Sequence, residues 1–277
     1  MKSKKLIKAL CVLVVLTLTV VGIIYASDLF STLPSGLMLS MHGKGAPTLV
    51  AHRGLSSIYP QNTIPAFEGA AEYGFTYYEL DVHTTKDGEW VVIHDDTVDD
   101  MTDGEGQVED FTLSEIKELT IDNGNRIENY ENLLVPTLKE SLDVCRKTGI
   151  LPVIEIKKCD TQYLPGLNEM LNEYGIKDGA KIISFTKEYL EAYRSLDSEA
   201  EILFLSSNPT KQDIDWCIEN GFGINFNFWN YHKCISAIRY ARQNDVTIAA
   251  WTVDNTIFAD VMVLIGAEYI TTNKILP

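Results

Sequence analysis

Short apolar segments alternate with amphipathic segments from residue 48 onward. Eight apolar segments have the length of buried strands, and a helical pattern separates each neighbouring pair. They comprise residues 48–54, 77–84 with 90–93 as an extension beside it, 151–157, 181–186, 201–207, 223–228, 246–253 and 268–273. Strands that alternate with helices form parallel βαβ units. Eight such units in one domain predict an α/β fold, the (β/α)8 or TIM barrel.

An open doubly wound sheet is the alternative architecture, and it normally carries a glycine-rich phosphate loop after its first strand. The first strand here ends in His52-Arg53-Gly54, which is not such a loop. Between the second and third barrel strands, periodicity predicts helices at 113–119 and 137–148. The polar stretch 121–135 has no clear period, so we expect a surface loop near the open end of the barrel.

The first 27 residues differ from the rest of the chain. Four lysines within residues 2–8 precede an uncharged apolar run, residues 9–26. About 20 apolar residues span a bilayer, and lysines before such a run stay on the cytoplasmic side. We therefore expect residues 1–27 to be a transmembrane helix that anchors the protein in the membrane. A cleaved signal peptide is the alternative, although its apolar region usually has only about 7–15 residues.

The domain organisation and the location of the protein follow from that segment. Residues 28–46 contain Ser, Pro and Gly and are predicted to be a linker. Residues 47–277 then form the barrel domain. A retained anchor places this domain on the outer side of the cell membrane, and a cleaved segment would release it as a secreted protein.

Charge narrows the class of partner. The chain has 23 basic and 39 acidic residues, and four of the lysines lie in the first 27 residues, which hold no acid. The rest of the chain therefore has 19 basic and 39 acidic residues, a net charge of −20. Such a surface repels nucleic acids and anionic lipids. We expect no nucleic-acid partner, and any phosphate site must be local.

The cysteines give no sign of a metal site. The chain has five, none in a CxxC pair, and zinc sites need closer spacing. Beyond Cys11 they are Cys145, Cys159, Cys217 and Cys234. We interpret these four as small buried hydrophobic residues, with a disulfide as the alternative in an exported domain.

Polar side chains gather at the carboxyl ends of the predicted strands, where the active site of a TIM barrel lies. On the second strand Glu79, Asp81 and His83 share one face, because the side-chain period of a strand is two. The complete set is His52, Arg53, Glu79, Asp81, His83, His94, Glu155 and Lys157. Three converging carboxylates repel one another unless a divalent cation binds them, and oxygen ligands suit Ca²⁺ or Mg²⁺.

These residue types together suit the hydrolysis of a phosphodiester. Two histidines can serve as general base and general acid near neutral pH. Arg53 and Lys157 can hold the nonbridging phosphate oxygens, and a cation neutralises the charge that develops on them. Each group also has an ordinary structural interpretation: a histidine at a strand end usually forms a hydrogen bond in the core or at the surface. Glu79 and Asp81 could form salt bridges with the two cationic side chains.

Residues 51–102 resemble the glycerophosphodiester phosphodiesterase family, and further motifs extend the resemblance over about residues 48–273. The first group of matching motifs is His52-Arg53-Gly54, Pro60-Gln61-Asn62-Thr63, Glu79-Leu80-Asp81, Thr85-Lys86-Asp87-Gly88 and His94-Asp95. The second group is Val135-Pro136-Thr137-Leu138, Ile154-Glu155-Ile156-Lys157, Ser184-Phe185 and Trp251-Thr252-Val253.

The resemblance implies a TIM barrel that hydrolyses glycerophosphodiesters to glycerol 3-phosphate and an alcohol. It implies a divalent cation, Ca²⁺ or Mg²⁺, held by Glu79, Asp81 and Glu155. His52 would be the base and His94 the acid, and the glycerol hydroxyl would attack phosphorus to give a cyclic phosphate that water then opens. The residues expected to bind the substrate and its phosphate are Arg53, Lys157 and Trp251.

Three positions depart from the family pattern, and we expect them to affect substrate preference or local structure. Gln61 replaces the glutamate of P-E-N-T, Asp254 stands where asparagine often follows W-T-V, and Asn273 replaces the acid of T-D-x-P.

Two other functions stay open. One is a phospholipase C- or D-like barrel acting on lipid headgroups, and the other is a catalytically silent binding domain, against which the complete catalytic set argues.

Overall fold

Nine strands form one sheet within residues 47–277, the part of the chain that the computed structural model describes. The strands are β1 (Thr48–Ala51), β2 (Tyr77–Thr84), β3 (Trp90–Val92), β4 (Leu151–Lys158), β5 (Lys181–Ser184), β6 (Glu201–Ser206), β7 (Gly223–Asn227), β8 (Ile248–Trp251) and β9 (Tyr269–Thr272). Strand β1 pairs in parallel with both β9 and β2, which closes eight parallel strands into a barrel. The predicted barrel is confirmed.

The ninth strand, β3, lies antiparallel to the end of β2. It pairs with Val82–Thr84, beyond the residues of β2 that pair with β1. This is the extension that the sequence predicts beside the second strand. Its consequence is that His94, just after β3, lies close to the carboxyl end of β2.

Helices connect the barrel strands and cover the outside of the barrel. In the described part of the chain they are α1 (Ile64–Glu72), α2 (Leu113–Ile116), α3 (Leu138–Thr148), α4 (Leu164–Glu173), α5 (Lys187–Leu196), α6 (Lys211–Asn220), α7 (Tyr231–Gln243) and α8 (Thr256–Ile265). Helices α2, α3 and α6 begin with capping boxes, in which a threonine and the third helical residue satisfy each other's backbone N–H groups. Each such cap contributes about 1 kcal/mol.

The segment between β3 and α3 packs on an apolar cluster of its own. The members of this cluster are Val91, Ile93, Val98, Met101, Val108, Ile116, Ile121 and Val135. The predicted helix at 113–119 is shorter than expected: α2 ends at Ile116, and Thr120 pairs with Leu134 in an isolated bridge. Residues 121–135 form no α-helix, and Asn125 donates a hydrogen bond to the Ser56 carbonyl (2.6 Å). The predicted loop near the barrel mouth is therefore confirmed.

Two expectations concern regions away from the barrel core. The predicted anchor, residues 1–27, and most of the predicted linker, 28–46, lie outside the described residues. None of the helices in residues 47–277 has the length and apolarity needed to cross a membrane.

The four cysteines in this range are free, and three of them are buried, as expected of small hydrophobic residues.

A buried cation closes the amino-terminal end of the barrel. The Lys181 ammonium lies 4.6 Å from the ring centroids of both Tyr77 and Tyr269 and forms a salt bridge with Glu201. Above it, the apolar barrel interior contains Val50, Val153, Ile183, Leu203, Leu205 and Ala249. Apolar side chains therefore fill the barrel between the Lys181 ammonium at its amino-terminal end and the polar groups at the carboxyl ends of the strands.

Replacing Glu201 with glutamine should destabilise the barrel, because the Lys181 ammonium would stay buried without its carboxylate. Breaking a buried ion pair costs about 3–5 kcal/mol. We expect a loss near the lower end, since the Glu201 side chain is itself 40% exposed. Urea unfolding measures the change. As a control, Asp143→Asn breaks a pair with Arg146 in which both side chains are exposed, and it should cost less than about 1 kcal/mol. Equal losses in the two variants would contradict the prediction.

Candidate active site

A cavity of about 140 Å³ opens at the carboxyl ends of the barrel strands. Its lining residues are His52, Arg53, Glu79, His94, Glu155, Lys157, Ile183, Phe185, Leu205, Asn225, Trp251 and Thr271. Eight residues have a predicted catalytic, cation-binding or substrate-binding role. Seven of them, including Trp251, line this cavity, and the eighth, Asp81, is fully buried beside Glu79 and Glu155. The structure therefore brings the whole predicted set together.

Three carboxylates form the polar centre of this cavity. Asp81 and Glu155 are direct neighbours in the parallel pairing of β2 with β4, and Glu79 lies two residues before Asp81 on the same face. One oxygen of each lies within 4.8 Å of the others, and no more than 9% of any of the three residues is exposed. Asp81 Oδ1 is buried and accepts no hydrogen bond. An all-oxygen set with an unused carboxylate oxygen suits a hard divalent cation.

Two cationic side chains offset part of this negative charge. The Lys157 ammonium lies 2.9 Å from Glu155 Oε1 and 3.8 Å from Asp81 Oδ1. Arg53 Nε lies 3.4 Å from Asp81 Oδ2, and the Arg53 backbone N–H donates to Glu79 Oε2 (2.8 Å). If all three carboxylates were ionised, these two cations would leave one excess negative charge, which a bound cation would balance.

Burial and mutual repulsion shift the pKa values of the three carboxyl groups. Burial raises the pKa of Glu155 to about 7, and the Asp81 charge adds to the shift. Burial, followed by Asp81 and Glu155, also raises the pKa of Glu79 well above its ordinary value. For Asp81 burial acts in the same direction, but Arg53, His94 and Lys157 outweigh it, and its pKa is lowered. One carboxylate thus stays charged while its two neighbours resist ionisation without a cation.

The turn after β1 places Arg53 over the carboxylates. Arg53 has a left-handed backbone (φ 57°), and Gly54 follows at φ +75°. A Cβ on Gly54 would lie 2.7 Å from Ala66, so this position also has no room for a side chain. Asn62, likewise left-handed, donates from Nδ2 to Asp81 Oδ2 (2.8 Å). The motifs around these residues therefore shape the carboxylate cluster.

The two histidines are each held through Nδ1. His52 Nδ1 lies 2.8 Å from Asn273 Oδ1, and His94 Nδ1 lies 2.7 Å from Asp95 Oδ1. Burial, with a further contribution from Arg53, lowers the pKa of His52 to about 4, so its imidazole is neutral and can accept a proton. His94 stands beside a carboxylate that can balance the charge of a protonated ring. The pair is therefore asymmetric in a way that suits a base and an acid.

His83 follows Glu79 and Asp81 at the period of two on β2, but it lies next to an irregularity in the strand pairing. The pairing of β2 with β4 shifts after Val82, so that His83 pairs with Lys158 and Lys157 is the extra residue. His83 does not line the cavity, and its Nε2 lies 3.4 Å from the His94 carbonyl oxygen. A bulge of this kind is set by the packing of both strands and leaves no sign in the period of one of them.

The sequence reasoning overlooked the apolar side of the cavity and one amide. Ile183 lies on β5, Phe185 directly follows β5, and Leu205 lies on β6. Phe185 meets Trp251 edge to face, with ring centroids 5.7 Å apart. Asn225 is 3% exposed, and its Oδ1 has no hydrogen-bond partner among the described residues. The sign of Asn225 in the sequence is a polar residue inside the predicted strand 223–228. The cavity is thus divided into a polar half on β1, β2 and β4 and a largely apolar half on β5 to β8.

The divided cavity and the closed barrel together define a class of enzyme, a (β/α)8-barrel hydrolase of phosphate diesters. Residues 52–276 match the family model described as the Glycerophosphoryl diester phosphodiesterase family. The chain belongs to this family, and it is an enzyme of the class whose members hydrolyse glycerophosphodiesters. The family match does not favour either of the two other functions considered from the sequence.

Similar proteins and solved structures agree with this assignment. The chain is 34% identical over 231 residues to a glycerophosphodiester phosphodiesterase of Caldanaerobacter subterraneus, covering 81% of this chain and 93% of the relative. Among solved structures, it superposes on a phosphodiesterase of Oleispira antarctica in complex with the product sn-glycerol-3-phosphate, with a TM-score of 0.75 and 23% identity over 83% and 94% of the two chains. A glycerophosphodiester phosphodiesterase of Agrobacterium tumefaciens gives a TM-score of 0.68 and 24% identity over 82% and 96%. These structural matches establish the fold.

Glu155→Gln should change how the stability of the cation-free protein depends on pH. The folded-state pKa of Glu155, about 7, lies above its ordinary value of 4.5, so the folded wild type binds more protons between these values and loses stability as pH rises through them. The variant lacks this loss. In EDTA, the free energy of unfolding of the variant minus that of the wild type should increase from pH 4.5 to about 7, by up to about 3 kcal/mol.

Denaturant unfolding at a series of pH values measures this difference. His52 titrates with the opposite sign, because its folded-state pKa is lowered, but it is present in both proteins and cancels in the difference. If Glu155 is a cation ligand, excess Ca²⁺ or Mg²⁺ should stabilise the wild type more than the variant, which lacks its carboxylate. A difference that does not vary with pH would contradict the prediction.

Proposed function

We propose that this enzyme hydrolyses glycerophosphodiesters to glycerol 3-phosphate and an alcohol, with His52 as base, His94 as acid and a divalent cation at Glu79, Asp81 and Glu155. The observation that carries the proposal is the group of three buried carboxylates within 4.8 Å of one another, in a cavity lined by two histidines that are each held through Nδ1. The Oleispira antarctica phosphodiesterase with bound sn-glycerol-3-phosphate supports the expected product.

The residues of the chain divide the reaction between them. His52 removes the proton from a glycerol hydroxyl, whose oxygen attacks phosphorus, and His94 gives a proton to the departing alcohol oxygen. In the second step His94 removes a proton from water, the water oxygen attacks the cyclic phosphate, and His52 returns its proton to the glycerol oxygen. The cation, Ca²⁺ or Mg²⁺, would neutralise the carboxylates and the charge on the phosphate oxygens.

The two halves of the cavity would position the substrate. Arg53 and Lys157 would hold the nonbridging oxygens, because both already face the carboxylate cluster. Trp251 and its edge-to-face partner Phe185 would pack against the carbon atoms of the substrate. Gln61 holds the Arg53 guanidinium at 2.6 Å without a competing negative charge, which leaves Arg53 available to the phosphate.

His52→Ala and His94→Ala should each lower kcat by at least about 10²-fold with little change in KM, because general acid/base help contributes about 10²–10⁴. Release of glycerol 3-phosphate from a panel of glycerophosphodiesters measures the rates. His232→Ala, at an exposed position on α7, is the matched control and should retain the wild-type rate.

Excess EDTA should abolish turnover, and separate addition of Ca²⁺ and Mg²⁺ would identify the cation. Full activity in EDTA would exclude the cation, and a near-wild-type rate for either active-site variant would exclude that histidine.

The location of the domain is a separate part of the proposal. The lysines before residues 9–26 favour a helix whose far end lies outside the cell, and the position three residues before Ser27 is Ile24, where cleavage sites prefer a small residue. The barrel would then face the outside of the cell membrane on its tether. There it would encounter small diesters such as deacylated lipids.

Protease treatment of intact cells, followed by membrane fractionation, tests this topology. We expect the barrel domain to be digested in intact cells and the undigested protein to fractionate with membranes. Protection of the domain in intact cells would contradict external exposure. A soluble form in the medium that begins near Ser27 would show that the segment is a cleaved signal, which leaves export intact and excludes the anchor.

A further inference from the structure

Two of the departures from the family pattern contact each other. Asp254 follows β8 and Asn273 follows β9, 19 residues later. The Asn273 backbone N–H donates to Asp254 Oδ1 (2.7 Å), and Asn273 Nδ2 donates to Asp254 Oδ2 (2.9 Å). Thr272 Oγ1 also donates to Asp254 Oδ1 (3.2 Å). Where the family pattern has an amide and then an acid, this chain has an acid and then an amide, so the two departures are one exchange within a contacting pair.

The pair determines which way the Asn273 amide points. An ionised carboxylate can only accept hydrogen bonds, so the amide nitrogen of Asn273 must face Asp254. The amide oxygen then faces His52 Nδ1 at 2.8 Å, and the Ser56 hydroxyl lies 3.0 Å from the same oxygen. Because an amide oxygen is also only an acceptor, the proton of the neutral His52 ring must be on Nδ1. The unprotonated nitrogen is therefore Nε2.

We propose that Asp254 and Asn273 are positioning residues that fix the Nδ1–H tautomer of His52 and so reserve its Nε2 for accepting the substrate proton. The role of His52 as base rests on the proposed function, whereas the tautomer follows from the hydrogen bonds alone. The same logic holds when the acid and the amide change places. An aspartate at position 273 would accept from His52 Nδ1–H, and an asparagine at 254 would donate to it. Two amides do not enforce it, because an asparagine at 254 could either accept from Asn273 or donate to it, and two acids would place like charges in contact.

The exchange predicts the behaviour of three variants. In Asp254→Asn the Asn273 amide is no longer constrained and can turn its nitrogen toward His52, which favours the wrong tautomer. We expect kcat to fall by about 10²-fold, the lower end of what general base help contributes, with KM little changed. Asn273→Asp places two carboxylates in contact and should lower both the rate and the melting temperature. The double exchange, Asp254→Asn with Asn273→Asp, should recover most of the loss of either single variant.

Long-range ¹⁵N–¹H spectra of the full-length protein provide a readout that does not depend on activity. They distinguish the protonated from the bare ring nitrogen, and the His52 signals are identified by their loss in His52→Gln. We expect the Nδ1–H form in the wild type and in the double exchange, and a substantial Nε2–H population in Asp254→Asn. Asp143→Asn, which removes an exposed carboxylate on α3, is the matched control and should leave both the spectra and kcat unchanged.

The two kinds of failure can be told apart. If the protein hydrolyses no glycerophosphodiester, the proposed function fails, and the spectra still decide the tautomer. If Asp254→Asn leaves His52 in the Nδ1–H form with kcat unchanged, the positioning role is overturned. A double exchange as impaired as the worse single variant also overturns it. Should Asp254→Asn not fold, Asp254→Ser removes the carboxylate while keeping a small polar group, and the same expectations apply.

Discussion

The burial of three carboxylates at one point of the barrel is the constraint on which the rest of this site depends. Glu79, Asp81 and Glu155 are almost fully removed from water, and like charges at such separations interact strongly when solvent cannot screen them. The chain offsets this with Arg53 and Lys157 and with one amide, Asn62. The crowding that remains suits a divalent cation. Such a cation would act on stability and on chemistry through the same contacts.

The backbone around the carboxylates is adapted to the same constraint. Arg53 and Asn62 both adopt left-handed backbone conformations, which are uncommon for residues other than glycine, and both contact the cluster. The register shift after Val82 makes Lys157 an extra residue on β4, and its ammonium reaches Glu155 and Asp81. The rest of the barrel stabilises these conformations. Its interior is apolar on the amino-terminal side of the site, and the buried Lys181 ammonium, paired with Glu201, closes the amino-terminal end. Structure and site are thus stabilised in different layers of one fold.

The sequence predicts well those features that depend on local period and fails where contacts join distant segments. The positions of Glu79, Asp81 and Glu155 follow from a period of two on neighbouring strands, and the alternation of strands with helices predicts the closed barrel. His83 obeys the same period but does not line the cavity, and the bulge opposite it on β4 depends on how the two strands pack. The contact of His52 with Asn273 spans 221 residues and could not be read from either segment alone. Likewise, Asp254 and Asn273 look like independent departures until the fold places them together.

In the proposed function, the polar half of the cavity carries out hydrolysis, and the largely apolar half contacts the part of the substrate that differs between glycerophosphodiesters. In the proposed reaction, bond breaking depends on the charged groups at the ends of β1, β2 and β4. Each of these groups has a partner: a backbone N–H, an amide or an opposite charge. Ile183, Leu205 and Phe185 carry no charge and lie on the largely apolar side, and Phe185 is 45% exposed at the rim. Apolar side chains can change in size without leaving a buried charge unpaired, whereas removing one member of the carboxylate cluster leaves its partner unpaired. Substitutions on the apolar side could therefore change which alcohol the enzyme accepts in its diester substrate, while the charged groups that carry out hydrolysis stay paired.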